Sequence, residues 1–114
     1  IMMMSFNELP EFTKEFIRLE KKYRSLSEDL NQFKCVIEVV PLGNSKHFNI
    51  ITKNNQCVIL KARLFCRYLK GSSLRIIYAY DEKHFAITFI EIYSKSDKVN
   101  EDFERIREYL KFLV

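Results

Sequence analysis

The sequence has only two glycines and two prolines in 114 residues, and no tryptophan. Disordered segments are rich in glycine, proline and small polar residues and short of aromatics. Here ten Phe and six Tyr stand in a chain that is 47% hydrophobic, so it is expected to fold. Its length suits one domain spanning 1–114. Nothing approaches the apolar run of about 18–20 residues that a membrane-spanning helix requires. The opening Ile1-Met2-Met3-Met4 has neither a basic leader nor a long apolar stretch, and does not read as a signal peptide. Cysteine is scarce and odd in number: Cys35, Cys57 and Cys66, at spacings of 22 and 9. A small secreted scaffold carries a dense, even set, and a zinc site carries CxxC pairs with further ligands. The pattern reads as three reduced thiols in a cytoplasmic protein with no metal and no cofactor. Equally absent are a glycine-rich phosphate loop and any recognised Ser, His and Asp motif. His47 reads as a loop residue and His84 as a strand-end surface residue.

One further absence is informative. Residues 39–80 contain seven basic side chains (Lys46, Lys53, Lys61, Arg63, Arg67, Lys70, Arg75) and not one carboxylate. The flanks are mildly acidic, −1 over 1–38 and −2 over 81–114, so a net charge of only +4 conceals a local +7. Solvated surfaces normally intersperse both signs, because a field of one sign repels itself. A 42-residue stretch without an acid suits a polyanion such as nucleic acid, or an acidic protein partner.

Periodicity supplies the elements. Residues 10–23 predict a helix, with Pro10 at the first position and Phe12, Phe16, Leu19 and Tyr23 on one stripe. Ser25-Leu26-Ser27-Glu28 fits a capping box for a second helix with the stripe Leu30, Phe33, Ile37, Val40, stopped by Pro41. Two such helices form a hairpin whose stripes need a sheet to cover. Residues 42–56 read as a connecting loop, with a short strand at Phe48–Ile51. Val58–Arg67 alternates at period two, which predicts Val58, Leu60, Ala62, Leu64 and Cys66 on the core side. Ile59, Lys61, Arg63, Phe65 and Arg67 then take the open side. Gly71-Ser72-Ser73 turns into a strand Leu74–Tyr80, and Asp81-Glu82-Lys83 into another, His84–Tyr93. A final helix over 100–113 has Asn100 as N-cap, acids Glu101 and Asp102 at its start, and the stripe Phe103, Ile106, Leu110, Leu113. The class is α+β: two N-terminal helices on an antiparallel sheet of three to four strands, with an edge strand expected near Met3–Asn7 and a C-terminal helix.

Lys61 and Arg63 stand two apart on a strand and leave the same face about 7 Å apart. Arg75 opens the neighbouring strand, Arg67 lies further along, and Lys95 follows the third strand past Tyr93. Strand-borne cations make a firmer phosphate platform than loop-borne ones, and arginine adds a bidentate fork. Tyr93 or Phe65 would stack on an unpaired base.

Four segments, in order, resemble the RelE/ParE superfamily of toxin–antitoxin toxins: Glu8-Leu9-Pro10-Glu11-Phe12 with Lys14, then Leu60-Lys61-Ala62-Arg63. Leu74-Arg75-Ile76-Ile77-Tyr78 and Ile90-Glu91-Ile92-Tyr93-Ser94-Lys95 complete the set. The resemblance implies a RelE-like fold, a cognate antitoxin partner and cleavage of messenger RNA on the ribosome, by attack of a ribose 2′-OH on the adjacent phosphate. It implies Lys61 as base, Arg63 as phosphate ligand, Arg75 as stabiliser of the transition state and Lys95 as general acid. Arg67, Lys70 and Tyr93 are the expected RNA contacts, with Tyr93 in place of a C-terminal tyrosine that some relatives use. The alternatives are a ParE-like inhibitor of DNA gyrase that cleaves nothing, and a non-toxic nucleic-acid-binding module.

Overall fold

The computed structural model describes residues 3–70 and 73–113. Along the chain they form β1 (Ser5–Glu8), α1 (Pro10–Lys22), α2 (Leu26–Val39), β2 (Phe48–Lys53) and β3 (Val58–Phe65), then β4 (Ser73–Asp81), β5 (Ala86–Ser94) and α3 (Phe103–Phe112). The class is α+β as expected, but the sheet has five strands, ordered β1-β5-β4-β3-β2. Both additional strands are edges. β1 lies where an edge strand was expected and runs parallel to β5, with Ser5 opposite Ala86. β2 is longer than the short strand expected inside the 42–56 loop, and pairs antiparallel with β3, Phe48 opposite Ala62. An edge strand needs ladder partners on one side only, so Asn49, Thr52 and Lys53 are tolerated where an inner strand would be apolar. Of the expected Gly71-Ser72-Ser73 turn, Gly71 and Ser72 lie outside the described residues; Ser73 opens β4 opposite Phe65.

The helical hairpin covers one face of the sheet, α1 over β5 and α2 over β3. Phe12, Leu19, Leu26, Leu30, Phe33 and Ile37 pack there on Leu60, Ala62, Leu64, Ile76, Tyr78 and Phe89. The capping box is not formed: Ser25 has helical backbone and its hydroxyl caps no N–H of α2. It donates instead to Asp29 Oδ2 at 2.6 Å, because a buried carboxylate needs donors.

The other face is not open along its whole length. Ile106 of α3 packs on Ile59, Ile77, Ala79, Ile90 and Tyr93 as a second core. Ile59, assigned to the open side by alternation, is fully buried. α3 begins later than expected, with Asp102 as N-cap in place of Asn100, its carboxylate accepting from Arg105 N at 3.0 Å. Phe103 of the expected stripe is exposed; Ile106 carries the contact, flanked by half-buried Leu110 and Leu113.

Two features fix where α3 lies. The β4–β5 register jumps between Ile77/Glu91 and Tyr78/Phe89, a bulge that turns both Ile90 and Glu91 towards α3. Glu91 is fully buried, accepts from Asp102 N at 2.8 Å and pairs with the Lys98 ammonium, so it pins the 95–102 connection. Past the end of β1, the free edge of β5 is covered by side chains. Glu15 of α1 accepts from Ile92 N at 3.3 Å, and Arg105 of α3 donates to Ile90 O at 2.9 Å. Arg105 also grips both Glu15 oxygens at 3.0 Å, tying the two helical layers together across that edge. Among the described residues no helix is long and apolar enough to cross a membrane. Cys35, Cys57 and Cys66 are all unpaired thiols.

Candidate functional site

Beyond Ile59, Ile77 and Ala79 the second face of the sheet carries polar side chains. The ladder aligns them: Asn49 opposite Lys61, Arg63 opposite Arg75, and Arg75 opposite Tyr93. Cross-strand partners share a face. There they border a shallow depression of about 190 Å³ lined by Lys46, His47, Asn49, Lys61, Ala62, Arg63, Arg75 and Lys95. Lys61, Arg63, Arg75 and Lys95 are thus brought together, and none of the lining residues is acidic. A larger groove of about 460 Å³ adjoins across Arg63, but an anion there would face Asp29. The smaller depression is the better anion site, because no carboxylate lines it.

Arg75 is the fixed member. It is half-buried, and its Nη1 donates to Ser73 Oγ at 2.9 Å and to Ser73 O at 3.3 Å. Burial, and then the neighbouring Arg63 charge, hold its pKa below the ordinary arginine value. It remains a cation, and an anion between the two guanidinium groups would relieve their repulsion. Lys61 is anchored as well: its Nζ donates to Glu101 Oε1 at 3.0 Å, and the Glu101 side chain is only 6% exposed. Glu101 was expected at the helix start; Asp102 does the capping, and Glu101 is the counter-ion that holds Lys61. Arg63 and Lys95 are exposed, and free to approach a ligand.

Tyr93 does not serve as a stacking platform. It is 2% exposed, with the Lys98 ammonium 5.2 Å from its ring centre, so neither ring face is open to a base. Its hydroxyl is buried, and no group among the described residues meets it at hydrogen-bond geometry. Burial, with the Glu101 and Glu91 charges adding, pushes the phenol up to about 12. Tyr93 is a buried cross-strand neighbour of Arg75.

Arg67 does not extend the cationic face, since β3 ends at Phe65 and the chain turns towards the helices. Arg67 N donates to Asp29 Oδ2 at 3.3 Å, its Nε to Asp29 Oδ1 at 3.3 Å, and its guanidinium pairs with Glu28. The residue belongs to a structural corner with Ser25 and Asp29. Lys70 is exposed and lines the adjoining groove.

Sequence reasoning missed Lys46, His47 and Asn49, and passed over Glu101. His47 O accepts from Arg63 N at 3.0 Å, which fastens the loop before β2 to the end of β3. Gly43 places that loop: its φ is +79°, and a Cβ there would lie 2.1 Å from Phe48 Cγ. The acid-free run was the available signal for Lys46, but nothing local says that this loop folds onto the sheet.

No protein-family model matches the chain, and no curated protein matches it by sequence. Solved structures do match its backbone. The archaeal RelE–RelB complex from Pyrococcus horikoshii OT3 superposes with a TM-score of 0.63 at 16% identity, covering 85% of this chain and 100% of that one. The E. coli toxin RelE in the free state, as a variant with two arginines replaced by alanine, gives 0.58 at 17% identity, covering 99% and 100%. With the helical hairpin on one side of the sheet, a single helix on the other and a cationic end left uncovered, the chain has the fold of the RelE toxins.

Proposed function

We propose that this chain is the toxin of a type II toxin–antitoxin pair, an endoribonuclease that cuts messenger RNA on the ribosome, and so acts in the cytoplasm. The observation that carries the proposal is the convergence of Lys61, Arg63, Arg75 and Lys95 in one acid-free depression. In-line attack by a ribose 2′-OH needs a proton acceptor, positive charge on the phosphorane oxygens and a proton donor for the leaving 5′ oxygen. Arg63 and Arg75 face one another across β3 and β4 and hold the non-bridging oxygens. Lys61, fixed by Glu101, adds charge beside them, and the exposed Lys95 ammonium serves the leaving oxygen. A cognate antitoxin would neutralise the toxin by covering this cationic surface; one of the structures similar in fold is a RelE–RelB complex.

The test is expression of the chain alone, followed by analysis of ribosome-bound message. The wild type is expected to arrest growth and to leave 2′,3′-cyclic phosphate and 5′-OH ends. Arg75→Ala is expected to lose about 10²–10³-fold in rate, as removal of one preorganised donor does. Equal, background-level products from both would overturn the proposal. Gyrase-dependent DNA breaks with intact message would put the ParE-like reading in its place, and undisturbed growth would leave a docking module.

A further inference from the structure

We propose that His47 is the general base of this reaction, the group that takes the 2′-OH proton, in the role that the family likeness gives to Lys61. The inference rests on the ribonuclease reading and deepens it. His47 lines the same depression as the phosphate-binding arginines. Every charged side chain on that lining is a lysine or an arginine, and Lys61 is already tied to Glu101 at 3.0 Å. Imidazole is the side chain whose neutral, proton-accepting form is ordinarily well populated near pH 7.

The histidine is also held as a reacting group has to be. Its carbonyl is fixed to Arg63 N at 3.0 Å. Its ring meets Phe65 edge to face, with centres 5.2 Å apart and planes at 88°. His47 Nδ1 is buried with no hydrogen-bond partner among the described residues. Closed to solvent, Nδ1 cannot reach a substrate hydroxyl, so the nitrogen that accepts the proton is Nε2. The charged groups lining the depression are Lys46 on its own loop, Lys61 and Arg63 from β3, Arg75 from β4 and Lys95 after β5. Glu101 is directed to Lys61.

The step balances without any co-reactant. As the O2′–P bond forms and the P–O5′ bond breaks, His47 Nε2, with the ring proton on Nδ1, takes the 2′ proton, and the Lys95 ammonium gives one to O5′. The products are a 2′,3′-cyclic phosphate and a 5′-OH. His47 then releases its proton to solvent, and Lys95 recovers one.

The experiment is single-turnover cleavage of ribosome-bound message by the full chain, as a function of pH, for the wild type, His47→Gln, His47→Ala and Lys95→Ala. Both His47 variants are expected to lose about 10²–10⁴-fold, with the acidic limb of the profile removed, while keeping the wild-type melting temperature. Added imidazole is expected to restore part of the rate to His47→Ala. A substrate with sulfur at the bridging 5′ position, whose leaving group needs no proton, is expected to rescue Lys95→Ala and not His47→Ala. Retention of the acidic limb and of a rate within threefold of wild type by His47→Gln would overturn the assignment. So would rescue of His47→Ala by the sulfur substrate, which would make His47 the acid. A wild type that cuts nothing would remove the ribonuclease reading itself, and this one with it.

Discussion

Asp29 offers the sharpest test of how this fold is held together. Its carboxylate is 3% exposed, and it accepts from Ser25 Oγ at 2.6 Å, Arg67 N at 3.3 Å and Arg67 Nε at 3.3 Å. Asp29→Ala leaves the Arg67 N–H without its acceptor and the buried Ser25 hydroxyl with only the weak Cys66 Sγ at 3.6 Å to donate to, each loss worth about 1–3 kcal/mol. The Arg67 side chain is 59% exposed, so solvent screens its ion pair and the pair adds little. Relief of the buried charge works the other way. The net expectation is a loss of about 3 kcal/mol, or roughly 10 °C in Tm for a domain of this size. Arg67→Ala removes only the solvent-screened pair, leaves Ser25 Oγ and the backbone N–H of residue 67 on Asp29, and is expected to unfold close to wild type. Urea and thermal unfolding of the three proteins measure both. Asp29→Ala within about 0.5 kcal/mol of wild type, the range of ordinary surface changes, would refute the reasoning. So would an Arg67→Ala loss as large as that of Asp29→Ala.

Two further outcomes follow from the site. The salt dependence of binding to a single-stranded oligonucleotide is expected to flatten by about 0.7 in log–log slope for Arg63→Ala and again for Arg75→Ala, and to be unchanged for Arg67→Ala. Because the folded Tyr93 phenol is pushed up to about 12 while an unfolded one titrates near about 10, its stabilisation is complete below about pH 10 and is lost as pH rises towards about 12. Two units amount to roughly 3 kcal/mol, of which about half is lost by pH 11, so the gap in urea midpoint between wild type and Tyr93→Phe is expected to move in favour of the variant between pH 8 and pH 11; a constant gap would contradict it.

The parts of the fold that repeat locally were legible in the sequence. The stripe from Phe12 to Tyr23 and the alternation from Val58 to Leu64 report their own burial, and both helices of the hairpin and the three inner strands follow from them. What escaped is how the edges pair: β1 lies where an edge strand was expected, but its parallel partner β5 is about 80 residues away, and β2, with an edge strand's weak pattern, runs past the short strand expected. Ile59 carried an unused signal: an isoleucine on a supposedly open face already implies that something covers it, and α3 does. For the site, the acid-free run and the positions of Lys61, Arg63, Arg75 and Lys95 were enough to place four cations in one depression. Tyr93 and Arg67 were misplaced because alternation gives a side, not a depth, and because strand ends are not marked by hydrophobicity. Glu101 resembled a cap, and its neighbour Asp102 took that role. His47 sat in a segment whose composition says loop and says nothing of what the loop touches.

The most direct test of the central claim, that these cations form one phosphate cradle, is an NMR titration of side-chain Arg and Lys resonances with an uncleavable 2′-O-methyl RNA fragment. Arg63, Arg75, Lys61 and Lys95 are expected to shift together along one binding curve while Arg67 stays still. Shifts confined to Arg67 and Lys70, or separate curves for Arg63 and Arg75, would contradict it.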